Sequence, residues 1–132
     1  MEHIKQKTME TCNIEVNGKV YLVQVARTEE EKEAGLQNVS ELKDNEGMIF
    51  VYEEPDFVSF WMEGCTLHLD IIFIDEYGEV ISVAEGKPND STPITEDNVK
   101  YVLEVNVGSG ISASDEVDLS EFDEDFEEEE DE

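Results

Sequence analysis

The chain has 132 residues, a length that suits one domain and leaves little room for a second. Eight Lys and Arg stand against 36 Asp and Glu, for a formal charge of −28. At that charge direct binding to nucleic acid or to an anionic membrane surface is disfavoured, because phosphate contacts need clustered Lys and Arg.

The first residues, Met1 to Lys7, lack the apolar core of a signal peptide, and no apolar run approaches the length of a membrane span. The expectation is a soluble protein made in a cytoplasm. Cys12-Asn13-Ile14-Glu15-Val16 alternates, and Asn17-Gly18 separates it from the β-rich run Lys19 to Ala26. Asn-Gly between such runs predicts a type I′ hairpin, because both central residues must reach positive φ. Thr28-Glu29-Glu30-Glu31 is a capping box, opening a short helix that ends near Gly35.

Met48 to Tyr52 then reads as a buried strand bounded by Glu53-Glu54-Pro55-Asp56. Phe57 to Met62, Leu67 to Ile74 and Val80 to Ala84 follow as strands, the last two joined by a turn at Glu76-Tyr77-Gly78. Residues 86–98, with Pro88 and Pro93, read as a surface loop. A last strand runs from Val99 to Val107 and stops at a hinge, Gly108-Ser109-Gly110. About seven strands with one or two short helices predict a mainly β fold, a small sandwich or barrel, rather than βαβ units.

The acid is unevenly distributed. Residues 112–132 hold thirteen acids and no base, which leaves 23 acids against 8 bases, a charge of −15, for residues 1–111. The expected organisation is a β domain over 1–111 with one modest core, followed by an acidic tail over 112–132. Leu119, Phe122 and Phe126 punctuate the tail at i, i+3 and i+7. On a helix they would share one face and serve as apolar anchors in a partner groove.

Several blocks in this order resemble the DUF192 family, small β-rich domains of unassigned function found in bacteria, archaea and some phages. They are Val25-Ala26-Arg27-Thr28 with Gly35-Leu36, Gly47-Met48-Ile49-Phe50, Phe60-Trp61-Met62 with Leu69 to Asp75, and Tyr101 to Asn106. The resemblance spans roughly residues 20–107 and implies a compact, mainly β fold without a known reaction. Between Phe-Trp-Met and Leu-Asp the family usually reads Lys-Asn-Thr, two apolar residues and Pro. Here those positions are Glu63-Gly64-Cys65-Thr66-Leu67-His68, and Val39 stands where the family often carries an Arg. A short family helix after Val-Asn-x-Gly shrinks to Ser109-Gly110-Ile111. The resemblance therefore implies a retained scaffold and a lost or altered polar site.

The body offers one polar group for chemistry: Glu63, Cys65, His68 and Asp70. His68 and Asp70 share a strand face and could act as metal ligands or an acid/base pair. A metal needs three or four converging ligands, however, so a hydrogen-bonded structural pair carries more weight. Cys65 lacks a cation to activate its thiol, and Cys12 and Cys65 form no metal or disulfide pattern. Phe57, Phe60, Trp61 and Met62 read mainly as core, with part of the run exposed. No cofactor motif, catalytic triad or phosphate loop is present.

The first functional expectation is a non-enzymatic accessory protein, in concrete form a phage virion or capsid-associated component. Its β domain would dock and its acidic tail would pair with a basic protein surface. The alternatives are a decoy or chaperone of nucleic-acid-binding proteins, whose carboxylates mimic phosphates, and a small-ligand binder or enzyme using residues 63–70. With this many carboxylates in mutual repulsion, added salt should raise the melting temperature. Thermal unfolding across a NaCl series tests this, and a falling melting temperature would mean that self-repulsion does not limit stability.

Overall fold

The computed structural model describes residues 9–122. β1 (Thr11–Val16) and β2 (Lys19–Ala26) form the expected hairpin, with Asn17 and Gly18 at φ 56° and 80°. Helix α1 (Glu29–Ala34) begins at the predicted capping box. The Thr28 hydroxyl accepts from the Glu31 N–H at 3.0 Å, and the Glu31 carboxylate accepts from the Thr28 N–H at 3.1 Å. Gly35, at φ 48°, ends the helix.

Two expected strands, 48–52 and 57–62, are one. β3 (Glu46–Phe60) runs through Pro55 because the ladder shifts register around Asp56, where the missing N–H is tolerated. β4 (Leu69–Ile74) and β5 (Val80–Gly86) follow as a hairpin. β6 (Ile94–Asn106) starts inside the stretch expected as loop, since the extended arm of β3 gives residues 94–99 a pairing partner. β7 (Val117–Asp118) lies inside the expected tail.

All seven strands form one sheet, in the order β5-β4-β6-β3-β2-β1-β7. The fold is thus mainly β, as a single curled sheet rather than two packed sheets. β2 and β3 are parallel, joined through α1, so one βαβ crossover exists that strand spacing alone did not suggest. The two ends of the sheet meet at a bridge between Glu79 and Glu116. Val80 N–H donates to Asp115 O at 2.8 Å and Val117 N–H to Gly78 O at 2.8 Å across this seam.

Both faces of the sheet are buried along residues 47–51 of β3, most of β4 and residues 101–105 of β6, which explains their near-continuous apolar runs, whereas β1 and β2 alternate and leave one face exposed. One core takes Ile14, Val16, Tyr21, Ile49, Ile72, Val80, Leu103 and Val117, with contributions from all seven strands, and fills the inside of the curl. The other takes Met48, Phe50, Met62, Leu69, Ile71, Phe73 and Val102 and lies under α1 and the loops around Leu36 and Leu67.

The boundary expected after residue 111 is corrected. Ile111, Val117, Leu119 and Phe122 are buried in the inner core, because the curl leaves an apolar interior that they close. Phe122 packs edge-on to Tyr101, with ring centroids 5.9 Å apart, and beneath the Arg27 guanidinium at 5.0 Å. Phe122→Ala should therefore destabilise the fold by about 3 kcal/mol. Urea unfolding measures this, and an unchanged midpoint would return Phe122 to an appended tail.

Candidate functional site

The four polar residues singled out on the body do not converge. Glu63 is exposed, and only its backbone carbonyl is engaged, accepting from Gln37 Nε2 at 3.4 Å. His68 precedes β4 and its Nε2 lies 2.6 Å from Glu85 Oε2 at the exposed edge of the β4–β5 hairpin. Asp70 accepts from the Ser109 N–H at 2.9 Å and the Ser109 hydroxyl at 2.7 Å. It thereby fixes the Gly108-Ser109-Gly110 turn, so both the shared-site role of Asp70 and the hinge are corrected. Among the described residues no group of three or more His, Cys, Asp or Glu is placed to hold a metal ion. Leu119 and Phe122 are core residues, not exposed anchors, and Phe126 lies outside the described residues.

Of these four, Cys65 lines the pocket beneath α1. A half-open pocket of about 290 Å³ lies between α1 and the outer sheet face. Lys32 and Glu33 of α1, Leu36 and Gln37 after it, and Phe50, Tyr52 and Phe60 of β3 form its walls, with Trp61, Met62 and Cys65. The sequence builds this space directly: the short helix stops at Gly35, and the chain crosses back over β3 rather than packing a long helix on it. Phe50 and Phe60 meet edge-on at 5.0 Å, giving the pocket a rigid aromatic side. Trp61, the only tryptophan in the sequence, stands at its edge, 55% exposed.

Glu104, on β6, also lines the pocket, and it is only 6% exposed. It pairs in register with Met48 of β3 and Ile71 of β4, deep in the sheet. Gly47 permits this close pairing, since a Cβ there would lie 2.5 Å from the Glu104 carbonyl oxygen. No hydrogen bond or ion pair holds the Glu104 carboxyl among the described residues. No fully sealed side-chain nitrogen or oxygen lacks a partner there either, so its oxygens keep access to the cavity. Burial pushes its pKa up to about 7. Burial first, then Glu29 and Glu104, raises Tyr52 to about 12, and burial with Glu104 raises the Cys65 thiol. Cys65 Sγ sits 3.7 Å from the Leu36 carbonyl as a protonated donor, which is the opposite of an activated nucleophile.

Sequence reading missed Glu104, although a signal was present. It is the one charge inside the run Tyr101 to Val105, and it shares a face with Val102 rather than with Leu103.

A raised carboxyl pKa couples stability to pH. Below its ordinary value of 4.5 the Glu104 carboxyl is protonated in both folded and unfolded chains. Between there and about 7 only the folded chain holds the proton, so this group's contribution falls as pH rises and is fully lost above 7. Glu104→Gln should gain about 3 kcal/mol over the parent at pH 8 and almost nothing at pH 4.5. Paired urea titrations at the two pH values measure this, and an equal gain at both would disprove the coupling.

Among the described residues no helix is long and apolar enough to cross a membrane. Comparison with curated proteins gives no match. Two solved structures are similar. One is a protein of unknown function from Novosphingobium aromaticivorans, 35% identical, with a TM-score of 0.79 over 83% of this chain and 86% of that one. The other, from Sinorhizobium meliloti, is described as a "putative transcription regulator" and is 25% identical. Its TM-score is 0.81, over 86% of this chain and 97% of that one. The family model of DUF192, described as an uncharacterized ACR, matches residues 12–119, and on that match the chain belongs to the DUF192 family.

Proposed function

We propose that the chain is a small-ligand-binding domain whose site is the pocket beneath α1, with Glu104 as its anchoring group. The observation that carries this reading is a carboxyl 6% exposed, without a hydrogen-bond or ion-pair partner among the described residues, in the lining of an aromatic-walled cavity. An unpartnered buried carboxyl costs several kcal/mol at neutral pH, and a fold keeps such a group where a ligand completes it. Binding rather than catalysis is the favoured form, because the pocket's thiol, Cys65, is held protonated and no histidine lines the pocket to activate the Ser59 hydroxyl. The residues 63–70 expected for such a role contribute only Cys65.

The Sinorhizobium meliloti protein is described as a regulator of transcription, but a net charge of −28 disfavours direct contact of this chain with DNA phosphates. Charge supports a second reading, an acidic accessory protein docking on a basic partner, with a phage virion component or a decoy as its concrete forms. That reading keeps the charge and has lost two of its three apolar anchors to the core.

A fragment screen read by Trp61 emission and by backbone amide shifts tests the pocket. Hits should perturb Trp61 and the residues around Glu104, and Ala34→Phe, at the exposed mouth, should abolish them. Hits that perturb neither region, or that survive Ala34→Phe, would count against the site.

A further inference from the structure

Resting on that pocket reading, we propose that the ligand is a small organic cation: a primary ammonium or guanidinium carried on a short apolar or aromatic stem. The buried Glu104 carboxyl would receive the cation, and the rings of Phe50, Phe60 and Trp61 would receive the stem.

Three observations select this chemistry over a neutral or anionic ligand. First, Glu104 is the only buried charged residue among those lining the pocket, and the neighbouring Cys65 and Tyr52 stay protonated at neutral pH. A ligand cation is the partner that removes the cost of ionising a carboxyl at that depth. Second, the pocket already accepts a cation against one of its rings. Lys32 Nζ lies 4.0 Å from the centroid of Tyr52, and it makes no ion pair with Glu104. A wall of this pocket is thus geometrically suited to cation–π contact, and the chain's own ammonium sits on the Tyr52 ring rather than on the Glu104 carboxyl. Third, Glu29 and Glu33 stand at the rim, and Lys32 is the only base among the lining residues. With a net charge of −28 behind them, the surrounding potential draws cations in and repels carboxylates and phosphates. A volume of about 290 Å³, half open to solvent, fits a head group with one ring or a short chain.

The test compares three probes of one shape on the full chain: phenethylamine, 2-phenylethanol and phenylacetate. Binding is followed by Trp61 emission and amide shifts in 0.15 M salt, which screens diffuse attraction to the acidic surface. Phenethylamine should bind at least tenfold more tightly than the alcohol, and phenylacetate should not bind. Glu104→Gln, checked for folding by circular dichroism, should remove the amine's advantage, so that amine and alcohol bind the variant equally. A pH series on the parent chain keeps the test open if the variant does not fold: the amine's advantage should shrink as pH falls from 8 to 5.5, where the buried Glu104 carboxyl takes up its proton, and an advantage unchanged over that range overturns the assignment. If the alcohol or the acid binds as well as the amine, the cation assignment is overturned while the pocket reading stands. If the amine's advantage survives Glu104→Gln, the attraction is diffuse and the assignment is again overturned. If no probe perturbs Trp61 or the Glu104 neighbourhood, the pocket reading falls and the cation assignment falls with it.

Discussion

Burial of residues 101–105 of β6 on both faces is the constraint from which the rest of the molecule follows. The strand lies between β4 and β3, and every residue from Tyr101 to Val105 is buried. Alternation sends Tyr101, Leu103 and Val105 into the curl and leaves Val102 and Glu104 on the side roofed by α1. A charge within that buried run, on the Val102 side, has nowhere to go except the space under the helix. Because the crossover from β2 to β3 uses a six-residue helix, the roof is short and that space stays open at one side. A longer helix would have sealed the carboxyl in an apolar core, at a cost that a small domain could not carry.

The closing segment shows how acidic composition can conceal ordinary folding. Asp115 accepts from Asn17 Nδ2 at 3.0 Å and from the Ser112 N–H at 2.9 Å, while Asp118 accepts from the Ser120 N–H at 3.0 Å. These hydrogen bonds hold both carboxyls below their usual pKa, so the charges act as turn caps rather than as solvating excess. Val117, Leu119 and Phe122, lying between and beyond them, supply the apolar half of the same segment. Charge density alone therefore places the end of the domain too early, because it counts carboxylates and ignores what lies between them.

Local rules read well where the interaction is local. The Asn17-Gly18 turn and the Thr28–Glu31 capping box depend on neighbours a few residues apart, and both stand where the pattern put them. What failed was long-range. Pro55 and the acids around it look like a strand end, and only pairing with β6 turns them into a bulge within β3. His68 and Asp70 look like a pair, but their partners, Glu85 and Ser109, come from different elements. Glu104 was legible as an anomaly within an apolar run. Its pocket was not, because the walls come from residues 29–37, 50–65 and the strand itself.

The seam between Glu79 and Glu116 also dictates an order of events for a chain made from its N-terminus. Until residues 114–122 have emerged, the free edges of β5 and β1 lack their partners and the inner core stays open at one side. Completion of the fold therefore waits on the last of its described residues and is a late, non-local step. During that interval the same closing segment from a second nascent copy would fit the gap equally well.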